Sequence, residues 1–549
     1  MSASRERKKR QELAAEGKSP KQLRRAAEAK AKKKRTIISI ICIALVLAIG
    51  LGCLYGYVIR PNTAPRRAVA LRTGDHELSA VDFGYYYYDT INSFYQNYGS
   101  YLSYFMSDAS QPIDQQVYNE DTGETWADYF LQSAAESAKY DYAVYDAAKA
   151  AGYKLSAEGE QEIQDGMKTL EESVKSNGFK SLNDYFKQVY GKGCSKDSYI
   201  AYQRIRETAE EYAKKVDAER TYTDEEIQAK DDENPGQYSL VTYRAYYLST
   251  NNYLPEDEET DEESEEELDE EAKAAAEEAE AAAKAEAFET LKADAEKMVA
   301  ASKGNEDKYV DMALELATEG AKSTYENRDA TLNSNVSYDN SNSLFVDWLF
   351  DESRKEGDVT SVEDSDNGAY VLYFLSLDKN DYNTVNVRHI LIAPEQDEDS
   401  DEDGTNDTAS EASDAAAKAK AEQILADWKA GAATEESFAA LADENSADSP
   451  EGGLYEGVYH NQMVQEFNDW CFDPDRKPGD TDIVKTTYGY HIMYFVGEGD
   501  TYRRVQIIDD LKSSDYDDWT DELTSERVAA LDEAGTKYLR TDLVLGSST

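Results

Sequence analysis

The chain has 549 residues and a formal charge of -54 at pH 7. This length predicts three or four domains of ordinary size, and so strong an acidic balance argues against nucleic acid as a partner. The four cysteines are Cys42, Cys53, Cys194 and Cys471, and their spacing builds neither a disulfide framework nor a zinc site. We therefore expect a large multidomain protein without a structural metal.

The charge is unevenly placed, which suggests two compartments. Residues 1–35 carry 14 Lys plus Arg against four Glu, and the remainder carries about -64. Residues 36–59 are a mostly apolar run that would measure about 36 Å as a helix, against a hydrocarbon core of roughly 30 Å. The excess of positive charge before this run predicts a transmembrane helix with a cytoplasmic N-terminus and an extracytoplasmic body.

A cleaved signal peptide is the alternative interpretation of this segment. The basic head and the apolar run are both long for one, which favours an uncleaved anchor. A lipid anchor on Cys53 is disfavoured because Gly50 stands where a lipidation signal has a large aliphatic residue. We therefore expect one N-terminal helix to be the contact with the membrane.

Residues 60–236 are predicted to form an all-helical domain. A short strand is expected at 68–72, and Ser79 with Asp82 forms a capping-box signature for a helix that runs to about Met106. Further helices are predicted at 124–151, 157–177, 181–190, 196–219 and 223–232. Glycine-containing sequences between several of them indicate loops.

The first of these helices is rich in tyrosine. Its apolar residues step by three and four along one face, at positions 83, 87, 91, 94, 98, 102 and 105. More tyrosines, at positions 85, 86, 88, 95, 101 and 104, widen that stripe beyond the needs of an ordinary core. Two interpretations stay open: an aromatic core, or an adaptable surface for other polypeptides, since tyrosine offers apolar area with a polar tip.

Two segments nearer the C-terminal end each place a histidine within a run of branched and aromatic residues. They are residues 387–392, with His389, and residues 488–495, with His491. Each is predicted to be a central strand covered on both faces. A lone histidine in such a strand is usually a core residue. A second histidine in a matching strand favours a paired site.

An internal repeat bears on this interpretation. Residues 345–358 align with 467–480, residues 368–374 with 489–495, and residues 241–248 with 385–392. Residues 237–382 are therefore predicted to be a second copy of the unit at 383–500. In the first copy Ala245 and Tyr370 replace the two histidines, while the packing residues remain. A fold that does without both histidines does not need them for its core, which favours a functional pair.

The order of landmarks between the two histidine strands is also informative. They are a helix at 415–430, a helix at 437–442, Asn445-Ser446-Ala447-Asp448, the pair Gly452-Gly453, residues 462–467 and Lys477-Pro478-Gly479-Asp480. Over about residues 383–497 this order resembles the parvulin family of peptidyl-prolyl isomerases. With its anchor and helical domain, the whole chain resembles extracytoplasmic foldases of the PrsA and SurA kind.

The resemblance implies a set of site residues. It assigns His389, His491 and Asp448 to catalysis, and Met463, Phe467, Leu454, Thr486 and Tyr488 to substrate binding. It implies no metal and no cofactor. Rotation about an X-Pro bond faces a barrier of about 18 to 20 kcal/mol, and an acceleration of about 10³ to 10⁴ needs only about 4 to 5.5 kcal/mol of differential stabilisation. An apolar slot with a few polar groups is sufficient for that.

Both copies carry an acidic run after their first strand, at 256–271 and 395–411. We expect solvated, disordered loops there. Residues 399–404 imitate the start of a calcium loop, but Ser410 stands at the position of the closing glutamate, so no metal is assigned. The negative charge would also repel phosphorylated substrates.

The predicted fold class is α+β. It comprises a transmembrane helix, a helical chaperone domain, two parvulin-like domains that each have a small mixed sheet flanked by helices, and a C-terminal segment. Residues 501–549, with a helix near 516–532, are expected to pack back onto the helical domain, as the resemblance to these foldases implies.

The predicted function is isomerisation of X-Pro bonds in unfolded or partly folded secreted polypeptides, with the helical domain holding these clients. The predicted partners are those polypeptides and the membrane, without nucleic acid, and a homodimer stays open. The alternative is a non-catalytic, membrane-anchored chaperone or scaffold that uses both parvulin-like units as binding modules. A third interpretation is an adaptor for a membrane secretion machine.

Overall fold

The structure, a computed structural model, describes residues 63–106, 108–255, 270–395, 410–448 and 450–545. The expected cytoplasmic segment, the expected transmembrane helix and most of both acidic runs lie outside these residues. Across the part that is described, no helix is both long and apolar enough to cross a bilayer. The chain divides into two compact units, which we name the helical unit (Met1–Arg220 with Asp515–Thr549) and the double-sheet unit (Thr221–Ser514).

The helical unit combines a bundle of helices with short strands. Its strands are β1 (Val69–Thr73), β2 (His76–Ser79), β3 (Val117–Asn119) and β4 (Glu124–Thr125). Its helices are α1 (Ala80–Tyr98), α2 (Leu102–Phe105), α3 (Trp126–Ala150), α4 (Ala157–Ser176), α5 (Leu182–Val189) and α6 (Lys196–Ala218). The bounds of α3 to α6 lie close to those that the sequence predicts.

The double-sheet unit holds two similar halves in succession. The first half consists of α7 (Asp224–Glu233), β5 (Leu240–Ser249), α8 (Glu270–Ser302), α9 (Glu306–Leu316), α10 (Lys322–Tyr325), β6 (Leu332–Ser337), α11 (Val346–Leu349), β7 (Val359–Asp364) and β8 (Gly368–Asp378). The second half consists of β9 (Asn383–Ile392), α12 (Glu411–Ala430), α13 (Glu435–Asn445), β10 (Leu454–Val458), α14 (Gln465–Cys471), β11 (Thr481–Thr486) and β12 (Gly489–Thr501). Three elements complete the chain: α15 (Tyr502–Thr524), β13 (Ala529–Leu531) and α16 (Glu533–Thr536).

The short strand expected at 68–72 is confirmed as β1 (Val69–Thr73), but the helical unit also contains strands that were not predicted, so it is not all-helical. Strand β1 pairs with both β2 and β13, giving a three-stranded antiparallel sheet in the order β13-β1-β2. The expected helix at 516–532 is also wrong, because the helix spans Tyr502–Thr524 and residues 529–531 form β13. A strand of three residues carries too little pattern to be predicted. It is fixed by pairing with a strand that lies far away in the sequence.

Helix α1 starts as its sequence predicts. The Ser79 hydroxyl accepts from the backbone N–H of Asp82, and the Asp82 carboxylate accepts from the backbone N–H of Ser79. The α-helix ends at Tyr98, but a 3-10 turn (Gly99–Tyr101) and α2 (Leu102–Phe105) continue the helical segment to Met106. The capping box is therefore confirmed, and the predicted helix reaches its expected end in two α-helical pieces rather than one.

The tyrosine stripe of α1 has two different environments along its length. In the first part, residues 80–91 supply buried core, and Tyr85 and Tyr87 are fully buried. Beyond Phe94 most of the tyrosines are exposed. The aromatic-core interpretation is therefore confirmed for the first part of the stripe, and the second part is exposed surface.

The two halves of the double-sheet unit contain the same four-stranded sheet. The strand orders are β6-β5-β8-β7 and β10-β9-β12-β11. All pairings in these two sheets are antiparallel, so the expected mixed sheet is wrong. The opposed pairs are Ala245 with Leu372 and Tyr247 with Tyr370 in the first sheet, and His389 with Met493 and Leu391 with His491 in the second. This register agrees residue for residue with the alignment of the two copies.

The second sheet packs a different core on each face, because side chains alternate along a strand. On one face Ile390 and Ile492 pack with residues of α12 and α13. On the other face Val387 and Met493 pack with Phe467 of α14. Both histidines occupy odd-numbered positions of β9 and β12, and therefore lie on the α14 face.

Candidate active site

The two predicted histidines lie side by side on neighbouring strands. β9 pairs directly with β12, and His389 is two residues from Leu391, the residue opposite His491. Such diagonal neighbours on one face of an antiparallel pair are within reach of large side chains. Their Nδ1 atoms are 3.1 Å apart and their ring centroids 5.1 Å apart. Only 2% of His389 and 5% of His491 is exposed.

Each histidine has a polar partner at its other ring nitrogen. Nε2 of His491 is 2.8 Å from the hydroxyl oxygen of Thr486, which is itself buried. Nε2 of His389 is 3.1 Å from a carboxylate oxygen of Asp448. The structure therefore brings together four of the site residues that the sequence predicts.

Two further donors extend this arrangement at its ends. The backbone N–H of Tyr488 donates to the Thr486 oxygen at 3.1 Å. The hydroxyl of Tyr455 donates to the Asp448 carboxylate at 2.9 Å. One continuous chain of hydrogen bonds therefore runs from a backbone amide after β11, through both imidazoles, to a tyrosine of β10.

The charge of Asp448 sets the direction of these hydrogen bonds. An ionised carboxylate only accepts, so His389 carries its proton on Nε2. Its Nδ1 then accepts, which places the proton of His491 on Nδ1. Nε2 of His491 in turn accepts from the hydroxyl of Thr486. Each group in the chain is satisfied with both imidazoles neutral.

Burial lowers the pKa of both histidines. It lowers the pKa of His491 to about 4, helped by the neighbouring His389 and opposed by Asp448. Burial also lowers the pKa of His389, again against the effect of the Asp448 carboxylate. Both rings are therefore neutral at pH 7, and neither supplies an imidazolium there.

Apolar side chains enclose the histidine pair on the α14 side. Phe467 meets both imidazoles edge to face, with centroid distances of 5.2 and 5.5 Å. Met463 is half-buried and packs against the same cluster, and the Tyr455 ring lies 5.1 Å from His389. Asp448 keeps 34% of its side chain exposed, so a substrate can reach its carboxylate.

The structure places the side chains of two predicted substrate-binding residues away from the slot beside the histidines. Leu454 lies opposite Arg388, on the sheet face that α13 covers, so its assignment to the slot is wrong. Alternation along β10 puts the next residue, Tyr455, on the histidine face instead. The ring of Tyr488 is 63% exposed, and only its backbone N–H joins the hydrogen-bonded chain.

Tyr455 is a site residue that the sequence did not predict. Its hydroxyl and its ring both contact the site, and burial raises its pKa to about 12, with Asp448 adding to the shift. The available signal was an aromatic residue two positions after the Gly452-Gly453 pair. Only the register of β10 against β9 shows which of two adjacent residues faces the histidines.

The loop after α13 positions Asp448. The Ser446 hydroxyl oxygen accepts from the backbone N–H groups of Asp448 and Leu391, both at 3.1 Å. The backbone N–H of Ala447 donates to the carbonyl of Leu391 at 2.8 Å. Because Leu391 is the residue opposite His491, these bonds tie the carboxylate to the strands that carry the histidines.

The first half shows the same sheet without histidines. Ala245 stands at the position of His389, and Tyr370 replaces the second histidine. The Tyr370 ring lies 5.1 Å from that of Phe345 and 4.6 Å from that of Tyr247. Aromatic packing therefore takes the place of the hydrogen-bonded chain.

One polar contact is shared by both halves. Nε of Arg388 donates to Glu435 at 2.9 Å, and its Nη1 donates to a backbone carbonyl at 2.9 Å. Arg244 repeats this with Glu306 at 2.6 Å and a backbone carbonyl at 2.7 Å. The arginine is thus part of the common fold, whereas the histidine pair belongs to the second half alone.

A four-stranded antiparallel sheet with two helices on one face and a polar histidine pair on the other defines a domain of the parvulin class. Residues 370–497 match the family model of the PPIC-type PPIase domain. The chain therefore contains a parvulin-type peptidyl-prolyl isomerase domain, and the predicted resemblance is confirmed. The match extends over a minor part of the 549 residues.

Solved structures of PrsA are similar to part of the chain. PrsA from Bacillus subtilis is 24% identical, and the match covers 26% of this chain and 49% of that one with a TM-score of 0.18. The peptidylprolyl isomerase PrsA from Bacillus anthracis is 20% identical, and the match covers 30% of this chain and 59% of that one with a TM-score of 0.16. The peptidylprolyl isomerase PrsA from Bacillus cereus is 20% identical, and the match covers 29% of this chain and 57% of that one with a TM-score of 0.17. The chain thus spans about half to three fifths of their length. No curated protein matches it.

Proposed function

We propose that the chain is a membrane-anchored, extracytoplasmic foldase that isomerises X-Pro bonds in secreted polypeptides and also holds these clients. One observation supports the isomerase part above all others. It is the hydrogen-bonded chain from Thr486 through the histidine pair to Asp448, set against Phe467 in a PPIC-type domain. The anchor and the extracytoplasmic setting rest on the basic residues 1–35 and the apolar residues 36–59.

The proposed mechanism is non-covalent. In the planar X-Pro amide the nitrogen lone pair is delocalised onto the carbonyl oxygen, and in the twisted transition state it returns to nitrogen. The twisted amide is the less polar form, so a slot walled by Phe467, Met463 and Tyr455 favours it relative to water. Asp448 places a carboxylate at this slot, and its orientation is fixed before the substrate binds.

The polar residues of the site differ in burial, and this difference indicates which of them can contact a substrate. His389 and His491 are too deeply buried to contact a prolyl substrate widely. We therefore assign them as positioning residues that hold Asp448 in one orientation, and we assign Asp448 as the catalytic residue. Thr486 fixes the far end of the pair through the Nε2 of His491.

The test is a proline-limited refolding assay with the full chain. His389→Ala removes the donor to Asp448, and Asp448→Asn keeps the shape but removes the charge that orients the chain. Each is expected to lower kcat/KM by about 10- to 100-fold, the equivalent of about 1.4 to 2.8 kcal/mol. His460→Ala is the matched control, because His460 is exposed and lies outside the hydrogen-bonded chain. No acceleration by the unmutated chain would refute the isomerase proposal.

A second candidate function is supported by the first half. It keeps Phe345, the counterpart of Phe467, but fills the position of the pair with Tyr370. Such a module would bind clients without isomerising them, as the non-catalytic chaperone or scaffold interpretation requires. A chain that suppresses aggregation of an unfolded protein but leaves proline-limited refolding unchanged would favour this candidate.

The proposed setting has its own tests. Carbonate extraction of membranes would retain the chain if residues 36–59 anchor it, and would release it otherwise. Protease added to intact cells would degrade the body of the protein if it is extracytoplasmic. Sedimentation of the purified chain would decide between a monomer and a homodimer.

A further inference from the structure

The helical unit exposes a group of aromatic side chains beyond the buried part of α1. The exposed fractions are 44% for Tyr95, 44% for Tyr98, 58% for Tyr101, 83% for Tyr104, 46% for Phe105 and 44% for Tyr118. We name these six residues the tyrosine patch. Exposed aromatic groups of this extent usually mark an interaction site.

Ring contacts make much of the patch continuous. Tyr118 lies 4.9 Å from Trp126, which lies 5.3 Å from Phe94. Phe94 lies 5.2 Å from Tyr98, and Tyr98 lies 5.3 Å from Phe105. Trp126 is itself buried, with 4% of its surface exposed. Tyr98, Phe105 and Tyr118 therefore rest on half-buried Phe94 and buried Trp126, whereas Tyr101 and Tyr104 contact each other, with ring centroids 6.2 Å apart.

The stretch of sequence that carries the patch has charge of a single sign. Residues 73–138 contain 11 Asp plus Glu and no Lys or Arg. The ion pairs of the described residues include none made by Asp108, Glu120, Asp121 or Glu124. Asp108 accepts hydrogen bonds from the neutral side chains of Ser110 and Gln111, and those bonds lower its pKa. A docking segment with positive charge would meet carboxylates that form no ion pair with any described cation of this unit.

The same unit already holds one cation in such an environment. The guanidinium of Arg206 lies 5.5 Å from the centre of the Tyr202 ring. It also lies 3.5 Å from Asp141 and 3.9 Å from Asp89. Tyrosine faces together with carboxylates therefore accommodate a guanidinium in this fold, as cation–π attraction predicts.

We propose that the tyrosine patch docks client segments in which Lys or Arg alternates with apolar residues. This inference rests on the proposed holding of clients and adds their chemical class. The rings would take the apolar side chains and the faces of the cations, while the surrounding carboxylates attract the positive charge. An anionic membrane surface carries the wrong sign for this patch. So does the part of a second copy that follows residue 35, which carries about -64.

The test measures binding of three labelled peptides by the full chain. The peptides have equal length and the same apolar residues, and differ only in having Lys, Gln or Glu between them. We expect the Lys peptide to bind at least about tenfold more tightly than the Glu peptide, with the difference shrinking as salt screens the charges. Equal affinity for all three peptides would overturn the proposal.

Substitutions test whether the Lys peptide binds at the tyrosine patch. Tyr101→Ser combined with Tyr104→Ser is expected to weaken the Lys peptide several-fold, whereas Tyr538→Ser, which removes an exposed tyrosine outside the patch, should not. The double variant Glu120→Gln with Asp121→Asn should show a smaller difference in affinity between the Lys peptide and the Gln peptide. An unchanged preference in that variant, or equal weakening by the Tyr538 control, would overturn the proposal.

Two other occupants are outcomes of the same experiments. Patch-dependent binding to phosphatidylglycerol vesicles would show a membrane surface, and patch-dependent self-association would show an interface between copies. Either result overturns the proposal. Isomerase activity on a short prolyl peptide is measured in parallel and should be unchanged in the patch variants. Failure of that activity in the unmutated chain counts against the proposed function, whereas loss of the charge preference counts against this inference alone.

Discussion

Lowering the pH should destabilise the second half through His491. In the unfolded chain this imidazole titrates near 6.5, whereas burial lowers its pKa in the folded protein to about 4. Between these two values the unfolded state binds more protons than the folded state. The free energy of unfolding therefore falls as the pH falls from about 6.5 towards 4, and the stability is retained above that window.

The size of the effect follows from the two pKa values. Integrating the linkage relation from pH 7 to pH 4.5 gives a loss of about 2 kcal/mol from this one group. His491 is 5% exposed, so solvent screening reduces this little. The pKa of His389 is lowered as well, so the loss for the pair exceeds that for His491 alone.

Chemical denaturation of the unmutated chain and of His491→Gln at several pH values measures the effect. Glutamine keeps a neutral polar side chain but does not titrate, so the variant should lose about 2 kcal/mol less between pH 7 and pH 4.5. The carboxylates present in both proteins contribute equally to the pH dependence of the free energy of unfolding, so their contribution cancels in this comparison. Hydrogen exchange at β8, in the half without histidines in its sheet, gives a reference within the same molecule. An equal pH dependence in both proteins would refute the reasoning.

Three substitutions test the rest of the site. Tyr455→Phe removes the hydroxyl donor to the carboxylate, and should lower kcat/KM by about 3- to 10-fold with little loss of stability. Thr486→Val leaves a buried ring nitrogen and a backbone N–H without their partner, and should lower the free energy of unfolding by about 1 to 3 kcal/mol. Gly453→Ala places a Cβ 2.2 Å from the carbonyl oxygen of His389, where φ is also +63°, so it should destabilise the sheet and abolish isomerase activity.

Each substitution has a matched control. Thr486→Ser keeps the hydroxyl and should restore most of the stability that Thr486→Val removes. Gly457 has a φ of +66° but open space around it, so Gly457→Ala tests the backbone strain without the clash. An equal loss of stability and of isomerase activity in Gly453→Ala and Gly457→Ala would show that backbone strain, and not the clash with the His389 carbonyl, causes the loss. Wild-type activity in Tyr455→Phe would show that the hydroxyl does not help to orient the carboxylate.

The two halves of the double-sheet unit separate the requirements of the fold from those of the site. Arg388 and Arg244 make the same pair of contacts in both, so the arginine anchors a helix to the sheet irrespective of chemistry. His389 and His491 have no such counterparts. The alignment of the copies could show this difference before any coordinates, because both sets of residues lie in strands with strong patterns.

Several features depended on contacts that a sequence pattern does not encode. The pairing of β13 with β1 joins residues more than four hundred positions apart. The choice between Leu454 and Tyr455 turns on the register of β10, where a shift by one residue exchanges the two faces of the strand. The resemblance to the parvulin family could place the slot but not settle that register.

The amino-acid sequence by itself determined that two strands each carry a histidine, that a sister copy has lost both, and that the order of landmarks is that of a parvulin domain. Periodic patterns and motif order are local properties, so they can be read without a fold. Tertiary structure alone decided that the imidazoles meet at 3.1 Å, that burial keeps them neutral, and that Tyr455 completes the chain to Asp448. Distances and burial arise only when strands far apart in the sequence pair in one register.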